Sequence, residues 1–268
     1  MASAVQIEAF REQGYFVTAD AVDPEMLERL VAAADRAREK VRSGAVVLGK
    51  RITRDGEGSD AEHIEGVFAP EFEEPDFAEY MASDPLMRYV RAFIGDQMRM
   101  GWMTLCVNPF GYDSGWHRDV GGTNREARGQ EELDILTNFM SNHFKWSLAL
   151  RDDPCLLLIP GSHCRNATEE ERTGLLEAKK ADIPGQQEIF LKKGETLFWS
   201  GKTIHRGRAP AGLAERLTIR AGMVRYDPEE GPEDLGERFA WMKADNIRNA
   251  LPASLRLSYD RWLAVQAA

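Results

Sequence analysis

The chain has 268 residues, of which 43% are hydrophobic, and carries a formal net charge of −10. This composition can build a substantial core, whereas the negative charge argues against nucleic acid or an anionic membrane as a partner, because both would be repelled. The first residues contain no basic leader, and no apolar run is long enough to span a bilayer. We therefore expect a soluble, cytoplasmic, globular protein.

The first quarter of the chain predicts mixed structure in which helices dominate. A short helix precedes the β-like run YFVT at 15–18, and a longer helix is expected over 23–44, which opens on Asp-Pro and closes on glycine. Residues 51–75 are polar and lack a period, which predicts a loop. A further helix is expected over 85–94.

From residue 98 the pattern changes to short β-rich runs separated by Gly, Pro and Asp turns. The runs are MRMGWMTLCVN, FKWSLALR, CLLLIP, QEIFL, ETLFWS and RLTIRAGMVRY. Such strands without intervening helices are typical of an antiparallel barrel or jelly roll. We expect one mainly β domain with a helix-rich part at 1–97, a jelly-roll core at 98–227 and a helical C-terminal extension at 228–268.

Two longer segments, 120–140 and 168–186, interrupt the β-rich runs. Insertions of this length in a compact β domain often act as lids. The first contains the adjacent glycines Gly121 and Gly122 and is charged where a core strand would be apolar. It is expected to be a mobile lid, with an ordinary surface loop as the alternative.

The three cysteines, Cys106, Cys155 and Cys164, contain no C-x-x-C pair and are odd in number. Disulfide frameworks and structural zinc sites are not built from such a set. We expect these cysteines to be reduced and mostly buried.

The octet HRDVGGTN at 117–124 matches the catalytic loop of a protein kinase letter for letter. A kinase also needs an upstream G-x-G-x-x-G and a downstream D-F-G and A-P-E, but the first two are missing and A-P-E, at 69–71, precedes the octet. Without these parts phosphoryl transfer loses its electrostatic support, so the sequence argues against a kinase.

The spacing His117-x-Asp119 supports a different interpretation, in which both side chains bind one metal ion. On a strand, residues two apart face the same way, so an imidazole and a carboxylate at this spacing can share a metal. A second histidine would complete the two-histidine, one-carboxylate set that is typical of non-haem iron(II) and leaves positions open for other ligands.

Four further histidines compete for the third position. His63 lies in the polar segment and is expected to be solvated, and His163 follows a strand in the turn IPGSH, where local hydrogen bonding is the plainer role. His143 begins a strand and could line the cavity. His205 is favoured, because a turn and a strand beginning at Arg216 follow it.

The strand that follows His205 carries groups suited to a carboxylate. Arg216 could hold a remote carboxylate through two parallel hydrogen bonds, as a 2-oxoacid dianion anchored on iron would require. Thr218 faces the same way and could donate a hydroxyl hydrogen bond. Arg220 shares this face and competes for the anchoring role.

Several segments occur in a characteristic order: FREQGYFVTADAVDPEMLERL at 10–30, His117-x-Asp119, IPGSH at 159–163, KKGETLFW at 192–199, His205, and Arg216 eleven residues later. This order resembles the phytanoyl-CoA dioxygenase family of iron(II)/2-oxoglutarate oxygenases over nearly the whole chain. The resemblance implies a double-stranded β-helix with N-terminal and flanking helices. It further implies iron(II) on His117, Asp119 and His205, 2-oxoglutarate on Arg216 with Thr218, and O2 as co-substrate.

A substrate pocket is expected beside the iron. Trp146 matches an aromatic residue that walls the cofactor pocket in relatives, with a core tryptophan as the alternative. The other expected pocket residues are Trp116, Arg118 and His143. Positive charge near the mouth, which would suit an anionic substrate, is expected from Arg125, Arg128 and Lys145, with solvated surface side chains as the alternative.

The predicted activity is oxidation of a small-molecule metabolite. Asp119 favours hydroxylation or another oxidation, because related halogenases lack this carboxylate. Fold analogy does not select the substrate. Two other functions stay open: a jelly roll that binds a small molecule without turnover, and a metal-dependent cupin-type enzyme that does not use 2-oxoglutarate and so needs no fixed cation at Arg216.

Overall fold

The structure is a computed structural model that describes residues 2–47, 50–52, 61–107, 113–120, 126–138, 143–213, 215–229 and 237–266. The helices in these ranges are α1 (Ala4–Gln13), α2 (Pro24–Arg42), α3 (Asp76–Ala82), α4 (Asp84–Ile94), α5 (Gly129–Asn138), α6 (Glu169–Leu176), α7 (Ile247–Ala250) and α8 (Ala253–Ala264). The strands are β1 (Tyr15–Thr18), β2 (Lys50–Ile52), β3 (Ala61–Glu65), β4 (Met98–Cys106), β5 (His143–Ala149), β6 (Asp153–Leu158), β7 (Gln187–Leu191), β8 (Thr196–Trp199), β9 (His205–Gly207) and β10 (Thr218–Arg225).

Two antiparallel sheets organise the chain. The larger has seven strands in the order β1-β8-β5-β10-β4-β3-β2, and the smaller has three in the order β7-β6-β9. Isolated bridges from Asp113 to Arg208 and from His117 to His205 add a further chain segment at β9. This arrangement confirms the predicted double-stranded β-helix with flanking helices.

Side-chain alternation divides the large sheet into a helix-side face and an inner face. On the helix side, Phe144, Trp146 and Leu148 of β5 join one hydrophobic cluster with residues of the helices. On the inner face, Leu197 and Trp199 of β8 pack against side chains of β6 and β7 from the small sheet. His117 and His205 meet at β9 of the small sheet, and Asp119 contacts Lys145 of β5 in the large sheet.

Capping and helix-start residues in the sequence explain where the N-terminal helices begin and end. Ser3 and Gln6 form a capping box at the start of α1, and Gly14 ends that helix in the left-handed conformation. Pro24 occupies the first turn of α2, where its missing N–H costs nothing. The helices predicted over 23–44 and 85–94 are confirmed as α2 and α4.

The loop predicted over 51–75 is wrong for part of that segment. Residues Ala61–Glu65 form β3, which pairs with β4 and places His63 opposite Cys106, half-buried in a strand. Ile64 is the one large apolar side chain of that strand, and a single apolar position does not show the period of two that identifies a strand in a sequence. β1, β2 and β3 precede residue 97, yet all three belong to the large sheet. The division of the chain at residues 97 and 227 stays a prediction.

Two further expectations concern membranes and cysteines. Among the described residues, no helix combines the length and apolar character needed to cross a bilayer. Cys106 and Cys155 are buried and Cys164 is exposed, and none of the three is in a disulfide. The predicted burial is confirmed for two of the three thiols, and their reduced state stays a prediction.

Candidate metal centre

His117, Asp119 and His205 come together between the sheets. The two histidines face each other across a bridge in which each backbone N–H donates to the other's carbonyl at 2.9 Å. One ligand atom from each of the three residues lies within 4.8 Å of the other two. The Asp119 oxygens are 3.9 Å from Nε2 of His117 and 4.0 Å from Nε2 of His205.

Backbone carbonyls fix the orientation of both imidazoles. Nδ1 of His117 lies 2.8 Å from the carbonyl oxygen of Gly115, and Nδ1 of His205 lies 2.8 Å from that of Thr203. A carbonyl only accepts, so each Nδ1 carries the proton and each Nε2 offers a lone pair toward Asp119. Two neutral nitrogens and one carboxylate on one side of a metal are the donor set that suits non-haem iron(II).

Burial favours the neutral forms of His205 and His143. It lowers the pKa of His205 to about 3, and the neighbouring His117 and Arg220 add to that effect. His143, half-buried at the start of β5, has a pKa lowered to about 4 by burial, then by Lys145 and Arg99. His205 is therefore a neutral donor at physiological pH, and His143 is a neutral side chain close to Lys145.

Lys145 holds the carboxylate of the centre. Burial would by itself raise the pKa of Asp119, but the charge of Lys145 holds that pKa well below its usual range. The Lys145 ammonium donates to Asp119 Oδ2 at 2.7 Å, is itself buried, and lies 5.8 Å from the centre of the Trp102 ring. One carboxylate oxygen is thus fixed by a protein cation, which orients the other.

Gly201 leaves the space in which this carboxylate and ammonium meet. The Asp119 N–H donates to the Gly201 carbonyl at 2.8 Å, and a Cβ at Gly201 would lie 2.7 Å from Asp119 Oδ2 and 2.8 Å from Lys145 Nζ. We expect Gly201→Ala to displace the pair and to weaken metal binding about 10- to 100-fold, the cost of losing an outer partner of a metal ligand. Calorimetric titration with cobalt(II) measures this.

Ser200→Ala is the matched control for that titration, because the Ser200 hydroxyl contacts only the backbone N–H of Lys202 in the described structure. It should bind cobalt(II) as the unmodified protein does. Equal affinity in Gly201→Ala would show that the Asp119–Lys145 contact does not support metal binding.

Arg216 and Thr218 meet as predicted, but around a carboxylate of the protein itself. Arg216 donates from Nε at 3.0 Å and from Nη2 at 2.9 Å to Asp153 Oδ2, and the Thr218 hydroxyl donates to the same oxygen at 2.7 Å. The other oxygen accepts the Cys155 N–H at 2.9 Å. Arg216, Thr218 and Asp153 are all buried.

The buried pair of Arg216 and Asp153 makes the stability of the folded protein depend on pH. Burial opposes ionisation of Asp153, but Arg216 and then Thr218 hold its pKa down, at about 2 against an ordinary 3.8. A depressed carboxyl pKa stabilises the folded state above the unfolded value and loses that effect as pH falls through the folded value. Unfolding of the unmodified protein should therefore become easier by about 2 kcal/mol between pH 4 and pH 2 through this group.

Urea unfolding of Asp153→Asn at several pH values tests that linkage. The variant should have a lower free energy of unfolding than the unmodified protein at neutral pH. This difference in free energy should become smaller below about pH 4, as Asp153 takes up a proton. Exposed Asp152→Asn controls for removal of a neighbouring carboxylate. A difference in unfolding free energy that does not change with pH would contradict the stabilising role of the ionised Arg216–Asp153 pair.

Three residues expected in the substrate pocket face elsewhere. Trp116 and Arg118 alternate with His117 and Asp119 and point to the other side. The Trp116 indole donates to the Ala181 carbonyl at 2.7 Å and packs in a small separate core. Trp146 lies on the helix-side face of β5, fully buried beside Phe198. The period of two that joins His117 to Asp119 also turns their neighbours away.

Arg118 instead enters a buried ionic cluster with Glu132 and Arg172. Each guanidinium donates to a different oxygen of Glu132, and the Ala167 N–H donates to Oε1 at 3.0 Å. Glu132 belongs to α5, so a docked helix occupies the centre of the expected lid. Gly121 and Gly122 lie outside the described residues, as does Arg125, and a lid function stays a prediction.

Comparisons with known proteins agree with this fold. The family model for phytanoyl-CoA dioxygenase matches residues 10–216. No curated protein sequence matches the chain. Among solved structures, EctD from S. alaskensis with 2-oxoglutarate and 5-hydroxyectoine is 19% identical, with 95% of this chain and 86% of that chain covered at a TM-score of 0.64.

Two further solved structures share the fold. HygX from Streptomyces hygroscopicus, with nickel and 2-oxoglutarate bound, is 16% identical over 84% of this chain and 87% of that chain, at a TM-score of 0.59. The non-heme alpha ketoglutarate dependent epimerase SnoN from nogalamycin biosynthesis is 14% identical over 83% of this chain and 80% of that chain, at a TM-score of 0.56.

The fold, the three-residue centre and the family match together define a 2-oxoglutarate-dependent oxygenase of the non-haem iron class. The chain belongs to the phytanoyl-CoA dioxygenase family. The family predicted from the sequence is thereby confirmed.

Proposed function

We propose that this protein oxidises a C–H bond of a small-molecule metabolite and couples this to conversion of 2-oxoglutarate and O2 into succinate and CO2. The observation that carries the proposal is the orientation of His117 and His205, whose Nε2 lone pairs converge on Asp119. For a hydroxylation, one oxygen atom of O2 enters succinate and the other enters the product, which balances the reaction. Iron(II) bound at this centre would supply the activation of O2.

The protein groups have separate tasks in this reaction. His117, Asp119 and His205 would hold the metal ion through two imidazole nitrogens and one carboxylate. Lys145 fixes Asp119 and balances its charge. Trp199 lies in the same interior, its ring centre 6.4 Å from that of His205, and gives the cavity an apolar wall that excludes water.

Succinate formation tests the proposal. Protein supplied aerobically with iron(II) and 2-oxoglutarate should release succinate, faster when a suitable metabolite from a broad panel is present. Asp119→Ala protein, assayed in parallel, should release none above background. If no panel member changes 2-oxoglutarate consumption and the unmodified protein behaves like Asp119→Ala, then this activity is not the one performed.

One observation favours a second candidate, a metal-dependent oxidation without 2-oxoglutarate. Arg216, the cation expected to hold the cosubstrate, is bound to Asp153. An enzyme of this second kind would consume O2 with its substrate while 2-oxoglutarate stays intact. Measuring O2 and succinate together separates the two functions.

A further inference from the structure

The turn IPGSH at 159–163 places one hydroxyl group inside the protein, beside the loop that leads to His205. Gly161, at φ +72°, adopts the left-handed conformation that favours glycine and directs the chain into a short 3-10 helix that begins at Ser162. The Ser162 side chain is fully buried there. A buried hydroxyl group therefore lies next to the backbone that carries a candidate metal ligand.

One peptide group connects this hydroxyl to the His205 imidazole. Oγ of Ser162 accepts a hydrogen bond from the backbone N–H of Ile204 at 2.8 Å. The carbonyl of the same peptide group belongs to Thr203, and its oxygen lies 2.8 Å from Nδ1 of His205 and accepts the Nδ1 proton. Because a peptide group is planar, fixing its N–H also fixes the direction of its carbonyl. The Ser162 hydroxyl thus determines where the acceptor for the His205 proton lies.

The hydrogen atom of the Ser162 hydroxyl has a defined direction as well. Oγ of Ser162 lies 2.7 Å from the carbonyl oxygen of Ile159, which only accepts. The hydrogen bonds therefore run in one direction, from the His205 imidazole through the peptide group to Ser162 and then to Ile159. Ser162, Thr203 and Ile204 are all fully buried, so bulk water is not at hand to replace a lost partner.

Ser162 also contacts the chain segment that carries the other two candidate ligands. Its backbone carbonyl accepts a hydrogen bond from Nη2 of Arg118 at 2.7 Å. Arg118 lies between His117 and Asp119 in the sequence. The same residue therefore contacts both segments that supply the centre, one through its hydroxyl and the other through its carbonyl.

The His117 imidazole is oriented by a peptide group in the same way, but without a side chain. The Gly115 carbonyl accepts the proton on Nδ1 of His117, and the N–H of that peptide group, at Trp116, donates to the Lys179 carbonyl at 2.8 Å. Because only backbone atoms hold this peptide group, replacing a side chain at position 162 should leave it in place. His117 is therefore an internal reference for His205.

We propose that Ser162 is a positioning residue of the metal centre and that, through one backbone peptide group, its hydroxyl fixes the tautomer and the direction of the His205 imidazole. Without the hydroxyl, this peptide group loses the acceptor for its N–H, so its carbonyl is no longer fixed. The Nε2 lone pair of His205 is then no longer held toward Asp119. The proposal rests on the proposed function, in which His205 is a metal ligand.

Proton NMR of the cobalt(II)-loaded protein tests this assignment without requiring turnover. Cobalt(II) moves the exchangeable Nδ1 protons of bound histidines far outside the usual range, so the unmodified protein should show one such signal for His117 and one for His205. In Ser162→Ala the His205 signal should shift, or disappear through exchange with solvent, while the His117 signal stays unchanged. Calorimetric titration should show cobalt(II) binding about 10- to 100-fold more weakly, the usual effect of losing an outer partner of a metal ligand.

Two further variants separate positioning from a general loss of stability. Ser162→Thr retains the hydroxyl and should recover most of the cobalt(II) affinity. Ser258→Ala removes another buried hydroxyl, in α8, and should leave the affinity and both NMR signals unchanged. If Ser162→Ala does not fold, Ser162→Cys should show the same changes to a smaller extent, because a thiol is a weak hydrogen-bond acceptor and donor.

The assignment is overturned if folded Ser162→Ala or Ser162→Cys keeps both the cobalt(II) affinity and the His205 signal of the unmodified protein. It is also overturned if Ser162→Thr or Ser258→Ala loses as much affinity as Ser162→Ala. Failure of the unmodified protein to bind cobalt(II) would instead overturn the proposed function, in which a metal ion is bound at this centre.

Discussion

Asp119→Ala protein is expected to bind iron(II) or cobalt(II) at least about 100-fold more weakly than the unmodified protein, because loss of an outer partner alone costs about 10- to 100-fold and here a ligand is lost. The change removes the only anionic donor of the three-residue centre. It also leaves the buried ammonium of Lys145 without the carboxylate that it contacts at 2.7 Å. Metal titration and succinate release should both fail in this variant.

His163→Ala is the matched control for loss of a metal ligand. His163 is a half-buried histidine whose Nε2 lies 3.1 Å from the Arg11 carbonyl, apart from the metal centre. Metal affinity in this variant should equal that of the unmodified protein. If Asp119→Ala also binds metal normally, the His117, Asp119 and His205 cluster is not the metal site.

The second large effect is expected from Glu132→Gln. Arg118 and Arg172 are both buried, and Glu132 is the carboxylate that each of them contacts. The amide would leave two buried guanidinium groups without their ion-pair partner, and breaking a buried ion pair by removing one partner costs about 3–5 kcal/mol. Urea unfolding should show a loss of that size.

Glu131→Gln provides the comparison, since Glu131 is the exposed neighbour in the same helix α5. Its unfolding free energy should change by less than about 0.5 kcal/mol, as for surface substitutions in general. Equal stability of the two variants would mean that α5 does not depend on the ionic cluster. Because Arg118 lies between His117 and Asp119, the two neighbouring candidate ligands, Glu132→Gln should also lower metal affinity.

The clustering of His117 with Asp119 could be predicted because it depends on a short-range rule. A period of two along an extended segment places His117 and Asp119 together whatever the rest of the fold does. The choice of His205 needed the turn and strand that follow it, and Arg216 was singled out by its distance from His205. The same rule, applied to Trp116 and Arg118, would have placed both outside the cavity.

Residues that act across the fold left no local signal. Lys145 is 26 positions from Asp119, and Asp153 is 63 positions from Arg216. These pairs exist only because β5, β6 and β10 are brought together by sheet topology. Arg216 therefore looked available in the sequence and is ion-paired in the structure. No sequence motif marks Gly201 either, because its role is to leave space for the side chains of Asp119 and Lys145.

The most direct test of 2-oxoglutarate use is the absorption spectrum of the anaerobic protein with iron(II) and 2-oxoglutarate. A 2-oxoacid bound to iron through its oxo and carboxylate oxygens gives a weak visible charge-transfer band. We predict that this band appears with the unmodified protein and not with Asp119→Ala. Iron bound by His117, Asp119 and His205 without such a band at saturating 2-oxoglutarate would contradict the proposed chemistry.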